Sequence, residues 1–317
     1  MRKVLRANTY FLFILLMEIF IPIPLTSIYK IFNITDVRIM LFINHITIFV
    51  LPAIVYLLVT KQSAKEVLKI NKLHFKDTLL IILLAFMCQP IMLFFSLIAQ
   101  FLFKNEVGDF ITSISSTSYI VLLMLVAVMP AITEEITLRG IVLAGYEDKN
   151  IFLSSAIIGL FFGIFHLDPQ QFLYASVLGF ILALVVRITN SIFSSMLMHF
   201  LINGTSITMQ KILMLFSSED ELMQQATNIS IRDLPMQQKV IMFIFYGVIA
   251  IAFSIVVYFI IRKLKDINER RGTFRNENNY KITTFDKNDP VFNIPFFVII
   301  ILYIVFMFLP SILMLIL

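Results

Sequence analysis

The 317-residue chain is 59% hydrophobic and only 14% charged, with a net charge of +5. Soluble domains run near 45–50% apolar and about 25% charged, which excludes a soluble enzyme and leaves an all-α, polytopic transmembrane helical bundle. One cysteine, Cys88, excludes an intrachain disulfide and a thiol zinc cluster, and membrane topology accounts for the basic residues without a nucleic-acid partner.

Apolar runs separated by polar punctuation predict about eight to nine spans. They lie near 10–30, 38–60, 78–103, 119–144, 151–167, 171–188, 191–210, 240–261 and 291–316. The first, MRKVLRANTYFLFILLMEIF, starts basic like a signal peptide but has no small-x-small cleavage site, and is expected to remain as a span. Lysine and arginine cluster at 2–6, 61–76, 149, 187 and 262–281, all on one side of a nine-span arrangement. The positive-inside rule then puts the N-terminus in the cytoplasm, in a cell membrane, and the C-terminus outside. KQSAKEVLKINKLHF is mildly amphipathic and suits the inner surface. The polar 211–239 suits a cap on the outer face, and anionic lipids are natural neighbours of the basic loops.

Charge inside these runs is costly and marks function. The fourth span carries AITEEITLRG, in which Glu135 and Arg139 stand at i, i+4 and share a helix face. Glu134 is rotated about 100° away and faces elsewhere. One acid is thus balanced and the other left free, although the residues alone leave open which is the base. The fifth span ends in LFFGIFHL, with Phe162 and His166 at i, i+4, and the seventh carries MLMHFLINGT, with His199 and Asn203 at the same spacing. A buried glutamate can draw a proton from water, and imidazole and amide N–H groups can stabilise an oxyanion. Neither G-x-S-x-G nor H-E-x-x-H occurs. Glu18, Gln89, His45 and His74 have no partner in sequence and read as structural or loop residues.

In order, E-E-x-x-x-R, F-x-x-x-H and H-x-x-x-N resemble the CPBP family of intramembrane proteases, the CAAX prenyl endopeptidases and bacteriocin-processing (Abi) enzymes. The resemblance covers 119–210, with N-terminal helices at 1–118. The stretch 211–317 supplies an outer-face segment, a basic cytoplasmic loop and C-terminal helices. It implies an endopeptidase in which Glu134 activates water, His166 assists, and His199 with Asn203 forms the oxyanion site. Glu135, Arg139 and Phe162 are supporting. No cofactor is required in the favoured version; Zn2+ on Glu134, His166 and His199 is the other version. The substrate implied is a membrane-associated peptide or protein, lipidated or a peptide precursor. A proton-coupled transporter or a non-catalytic scaffold of the same fold are the alternatives.

Overall fold

Breaks in the helices follow from the sequence, and they set where the polar residues stand. The computed structural model describes residues 2–114, 116–216, 231–274 and 288–316, and all regular structure among them is helical. Helices α1 (Lys3–Phe20) and α2 (Pro22–Ile31) meet at a 43° bend. Pro22 and Pro24 account for it, because proline gives up a helix N–H and its ring clashes with the preceding turn. The helix α3 (Val37–Thr60) contains a π-helical stretch at Ile46–Val50. A single turn, α4 (Ala64–Val67), leads to α5 (Phe75–Gln100) and the short α6 (Glu106–Ser113). Then come α7 (Tyr119–Val142), α8 (Ile151–Phe165), α9 (Pro169–Thr189) and α10 (Ile192–Phe216). The helices α11 (Met236–Arg271) and α12 (Ile294–Ile316) complete the chain.

Among the described residues five helices, α3, α5, α7, α9 and α11, are long and apolar enough to cross a membrane, or up to six if the bent α1–α2 pair is one span. The eight to nine expected spans are therefore not reached on length and apolarity. At 15 residues, α8 is about 22 Å long, short of the ~30 Å hydrocarbon layer. The 25-residue α10 is diluted by Ser194, Ser195, His199, Asn203 and Thr205, so its own polar residues mask it. Of the polar 211–239 stretch, 211–216 continues α10, while 217–230 lies outside the described residues, as do 275–281 of the basic loop.

The segment expected to lie along the inner surface is mostly exposed and is anchored to the bundle at its middle, where Val67, Leu68 and Lys69 are buried. Lys69 Nζ is 2.7 Å from Glu147 and 3.2 Å from Asn190 Oδ1, and Ser191 Oγ donates to Asn71 O at 2.7 Å. These bonds tie it to the α9–α10 turn, where Asn190 adopts a left-handed φ of +52°.

The closest packing joins α8 to α9. A Cβ at Gly159 would stand 2.6 Å from Ser176 O and 2.7 Å from Phe180 N, and one at Gly179 would stand 2.7 Å from Phe162 Cβ. Gly159 and Gly163 form a small-xxx-small face that lets the backbones approach, as lipid-embedded helices require. Gly179→Ala should therefore lower the thermal midpoint of the purified protein, by overpacking worth about 1–3 kcal/mol. Gly204→Ala, whose nearest neighbour would be Leu123 Cδ1 at 3.4 Å, should be nearly silent. Equal shifts in the two melting curves would refute the close-approach account.

Candidate active site

Between its two π-helical stretches, Leu123–Val128 and Ile136–Val142, α7 has one short α-helical stretch, Met129–Glu135. π-Helical turns inside α-helices recur at functional sites. Glu135 ends this stretch and Arg139 follows one turn on. Their Oε1 and Nη1 are 2.9 Å apart, and both residues are 0% exposed. Arg139 also donates through Nη2 to Gly179 O at 3.3 Å, and its guanidinium lies 4.3 Å from the centre of the Phe162 ring, a cation–π distance. The missing side chain at 179 is what lets Phe162 and the guanidinium reach the α9 backbone.

His199 completes the pair from α10. Its Nδ1 is 2.9 Å from Glu135 Oε1. A carboxylate only accepts, so Nδ1 carries the hydrogen and Nε2 is left as an acceptor. Asn203 Nδ2 donates to that Nε2 at 3.2 Å and to Val126 O at 3.1 Å. Val126 O is available because the residue four positions on is Pro130, which has no N–H to close the α-helical bond. Arg139, Glu135, His199, Asn203 and the α7 backbone thus form one unbroken hydrogen-bonded chain.

Glu134 stands beside that chain without joining it. It is 8% exposed, and its Oε2 lies 4.0 Å from His199 Nε2, outside hydrogen-bond range. His166 follows the last residue of α8, and its Nδ1 donates to Phe162 O at 2.7 Å, which leaves Nε2 with a bare lone pair. Leu167, at a left-handed φ of +47°, turns the chain back after it, and Asp168 then caps α9 by accepting from Gln170 N–H. The Phe162 ring meets His166 at 4.8 Å and His199 at 5.7 Å, both edge-on.

All three motifs therefore converge. Glu135, Arg139, Phe162, His199 and Asn203 are in direct contact, Glu134 is adjacent, and His166 joins through Phe162. The short α8 explains how a histidine at the end of its helix reaches the others. Among the described residues no three His, Cys, Asp or Glu side chains converge on a metal position. Both nitrogens of His199 are engaged by protein groups.

Residues 116–205 match the family model described as type II CAAX prenyl endopeptidase Rce1-like. The match spans under a third of the chain and contains all three motifs, and it is the same CPBP/CAAX protease family that they resemble. It points to an intramembrane endopeptidase, and so to a peptide or protein substrate. No curated protein and no solved structure matches the chain.

Two neighbours escaped the sequence reading. His45 Nδ1 lies 3.0 Å from Thr133 Oγ1, beside Glu134. Glu18 lies within electrostatic reach of Glu134, with its Oε2 buried and without a hydrogen-bond partner. Neither has a motif partner at helical spacing; the only signal was an ionisable group in an apolar run.

The buried pair makes a clear prediction. Arg139→Met strands Glu135 in the interior and should destabilise the protein by about 3–5 kcal/mol, read as a fall in thermal midpoint. Adding Glu135→Gln removes the stranded charge and should recover part of that loss. A double variant less stable than Arg139→Met alone would show that the pair is not the unit.

Proposed function

We propose that the chain is an intramembrane endopeptidase in which Glu134 is the general base. The observation that carries this reading is the asymmetry of the two glutamates. Glu135 is held by Arg139 and His199, whereas Glu134 faces an imidazole nitrogen at 4.0 Å and has no hydrogen bond among the described residues.

In this mechanism Glu134 takes a proton from water as the water oxygen attacks the peptide carbonyl carbon. The bare Nε2 of His166 orients that water. The carbonyl oxygen becomes an oxyanion, which the Asn203 amide stabilises by turning toward it the hydrogen now given to His199 Nε2. His199, whose Nδ1–H is held by Glu135 at 2.9 Å, keeps its ring beside that amide and so fixes where the oxyanion site stands. The C–N bond then breaks, and the proton held by Glu134 passes to the leaving amine. Arg139 and Phe162 act by holding Glu135, His199 and His166 in register.

We place the catalytic core at 119–210, flanked by helices at 1–118 and 211–317, with the N-terminus in the cytoplasm of a plasma-membrane protein. The substrate class is a membrane-associated peptide, lipidated or a precursor, presented at the inner leaflet. The reaction is proposed as metal-independent, in keeping with a His199 whose two nitrogens bond to Glu135 and Asn203.

The test is cleavage of a panel of lipidated and precursor peptides by the purified protein in lipid nanodiscs. Glu134→Gln should lower kcat by about 10²–10⁴, the contribution of a positioned general base. Asn203→Ala should cost about 10²–10³, as loss of an oxyanion donor does. A chelator should leave the wild-type rate unchanged. Loss of activity on chelation, restored by Zn2+, would transfer Glu134, His166 and His199 to the role of ligands. A wild-type rate in Glu134→Gln would remove the base.

A further inference from the structure

We propose that His45 is a positioning residue for Glu134, acting through the Thr133 hydroxyl. This rests on the endopeptidase reading, and it adds a third imidazole to the site from outside the region that carries the motifs.

The stretch that bears Glu134 is poorly held by its own backbone. Met129–Glu135 is seven residues long, is flanked on both sides by π-helical stretches, and contains Pro130, which donates no N–H. A helix interrupted in this way needs lateral bonds to fix its rotation. Thr133, 5% exposed, supplies two. Its hydroxyl donates to Met129 O at 3.0 Å and lies 3.0 Å from His45 Nδ1. The hydroxyl hydrogen is taken by the carbonyl, so Oγ1 is the acceptor toward His45 and Nδ1 carries the proton. His45 comes from α3, 88 residues away in sequence, and directly precedes the π-helical stretch Ile46–Val50.

The same face of α3 reaches the other side of the site. Phe49 lies 5.2 Å from the His45 ring and 5.1 Å, edge-on, from Phe165, whose ring is 5.8 Å from His166. One turn of α3 therefore touches the residue next to Glu134 and a residue packed on His166. Adjacent helical residues are about 100° apart, so a clamp on Thr133 sets the rotation of the stretch and with it the direction in which Glu134 points. A displacement of about 1 Å in a catalytic group can cost about 10² in rate.

The experiment uses the full chain in lipid nanodiscs with whichever peptide the wild type cleaves. His45→Ala should lower kcat about 100-fold while KM stays within about two-fold. His45→Asn, whose amide nitrogen can occupy the place of Nδ1, should recover most of that loss. Thr133→Val should reproduce it, and the double variant should be no slower than either single one, because both remove the same bond. The proposal is overturned if His45→Ala keeps the wild-type kcat, if the two losses multiply, or if His45→Asn fails to rescue while melting like wild type. If the wild type cleaves nothing, the endopeptidase reading fails, and the clamp is read instead from carbodiimide labelling of Glu134, located by mass spectrometry. His45→Ala and Thr133→Val should then change that labelling to the same extent. Unchanged labelling in both refutes the clamp.

Discussion

The guanidinium of Arg139 is always charged, and here it is fully buried. Everything around it follows from having to accommodate that charge. Glu135 supplies the opposite charge from one turn before, Gly179 supplies a carbonyl from α9, and Phe162 supplies a ring face from α8. His199 then approaches from α10 because Glu135 Oε1 still accepts a bond. A buried ion pair is seldom more stabilising than an apolar pair of the same volume. Its presence here is better explained by what it orients. By holding Nδ1–H it fixes the tautomer of His199, and by stacking on Phe162 it places the ring that both histidines lean on.

Backbone carbonyls do the rest of the orienting. In lipid each carbonyl needs an internal partner, and irregular helices leave some of theirs open. Val126 O is opened by Pro130 and takes Asn203. Met129 O, inside the regular stretch between the two π-helical segments, takes the Thr133 hydroxyl as an additional i, i+4 bond. Phe162 O, in the last turn of α8 where helical carbonyls lose their partners, takes His166. Each of these bonds to a carbonyl aims a side chain of the site. Regularity is given up in α7 and at the end of α8 where the site stands, and the side chains that fill the openings are those that line it.

This division explains what could be read in the sequence. The i, i+4 pairing of Glu135 with Arg139 is local and follows from helix geometry, and each of the three motifs is written within five or six consecutive residues. The contacts between them are not. Glu135 and His199 are 64 residues apart, and nothing in either stretch encodes that meeting. The number of spans is not settled by length and apolarity for physical reasons as well: Pro22 divides the first helix, α8 is short, and α10 carries the polar residues of the site. His45 was read as packing because a single histidine in an apolar run has no periodic companion. Its partner Thr133 is a hydroxyl residue that ordinarily bonds only within its own helix.

The two adjacent glutamates show how little separates an ion-paired acid from an unpaired one. They have the same chemistry, neighbouring positions and the same local backbone. What distinguishes them is where the arginine falls. At 139 it lies one turn beyond Glu135 and bonds its Oε1, while Glu134 faces His199 at 4.0 Å, outside hydrogen-bond range. One position earlier the chain carries Leu138, 0% exposed, which is one turn beyond Glu134. An arginine at 138 in place of 139 would stand one turn beyond Glu134 and leave Glu135 with His199 alone, turned by about 100° away from the direction of Glu134. The register of one cation along the helix thus decides which carboxylate is ion-paired and which is not.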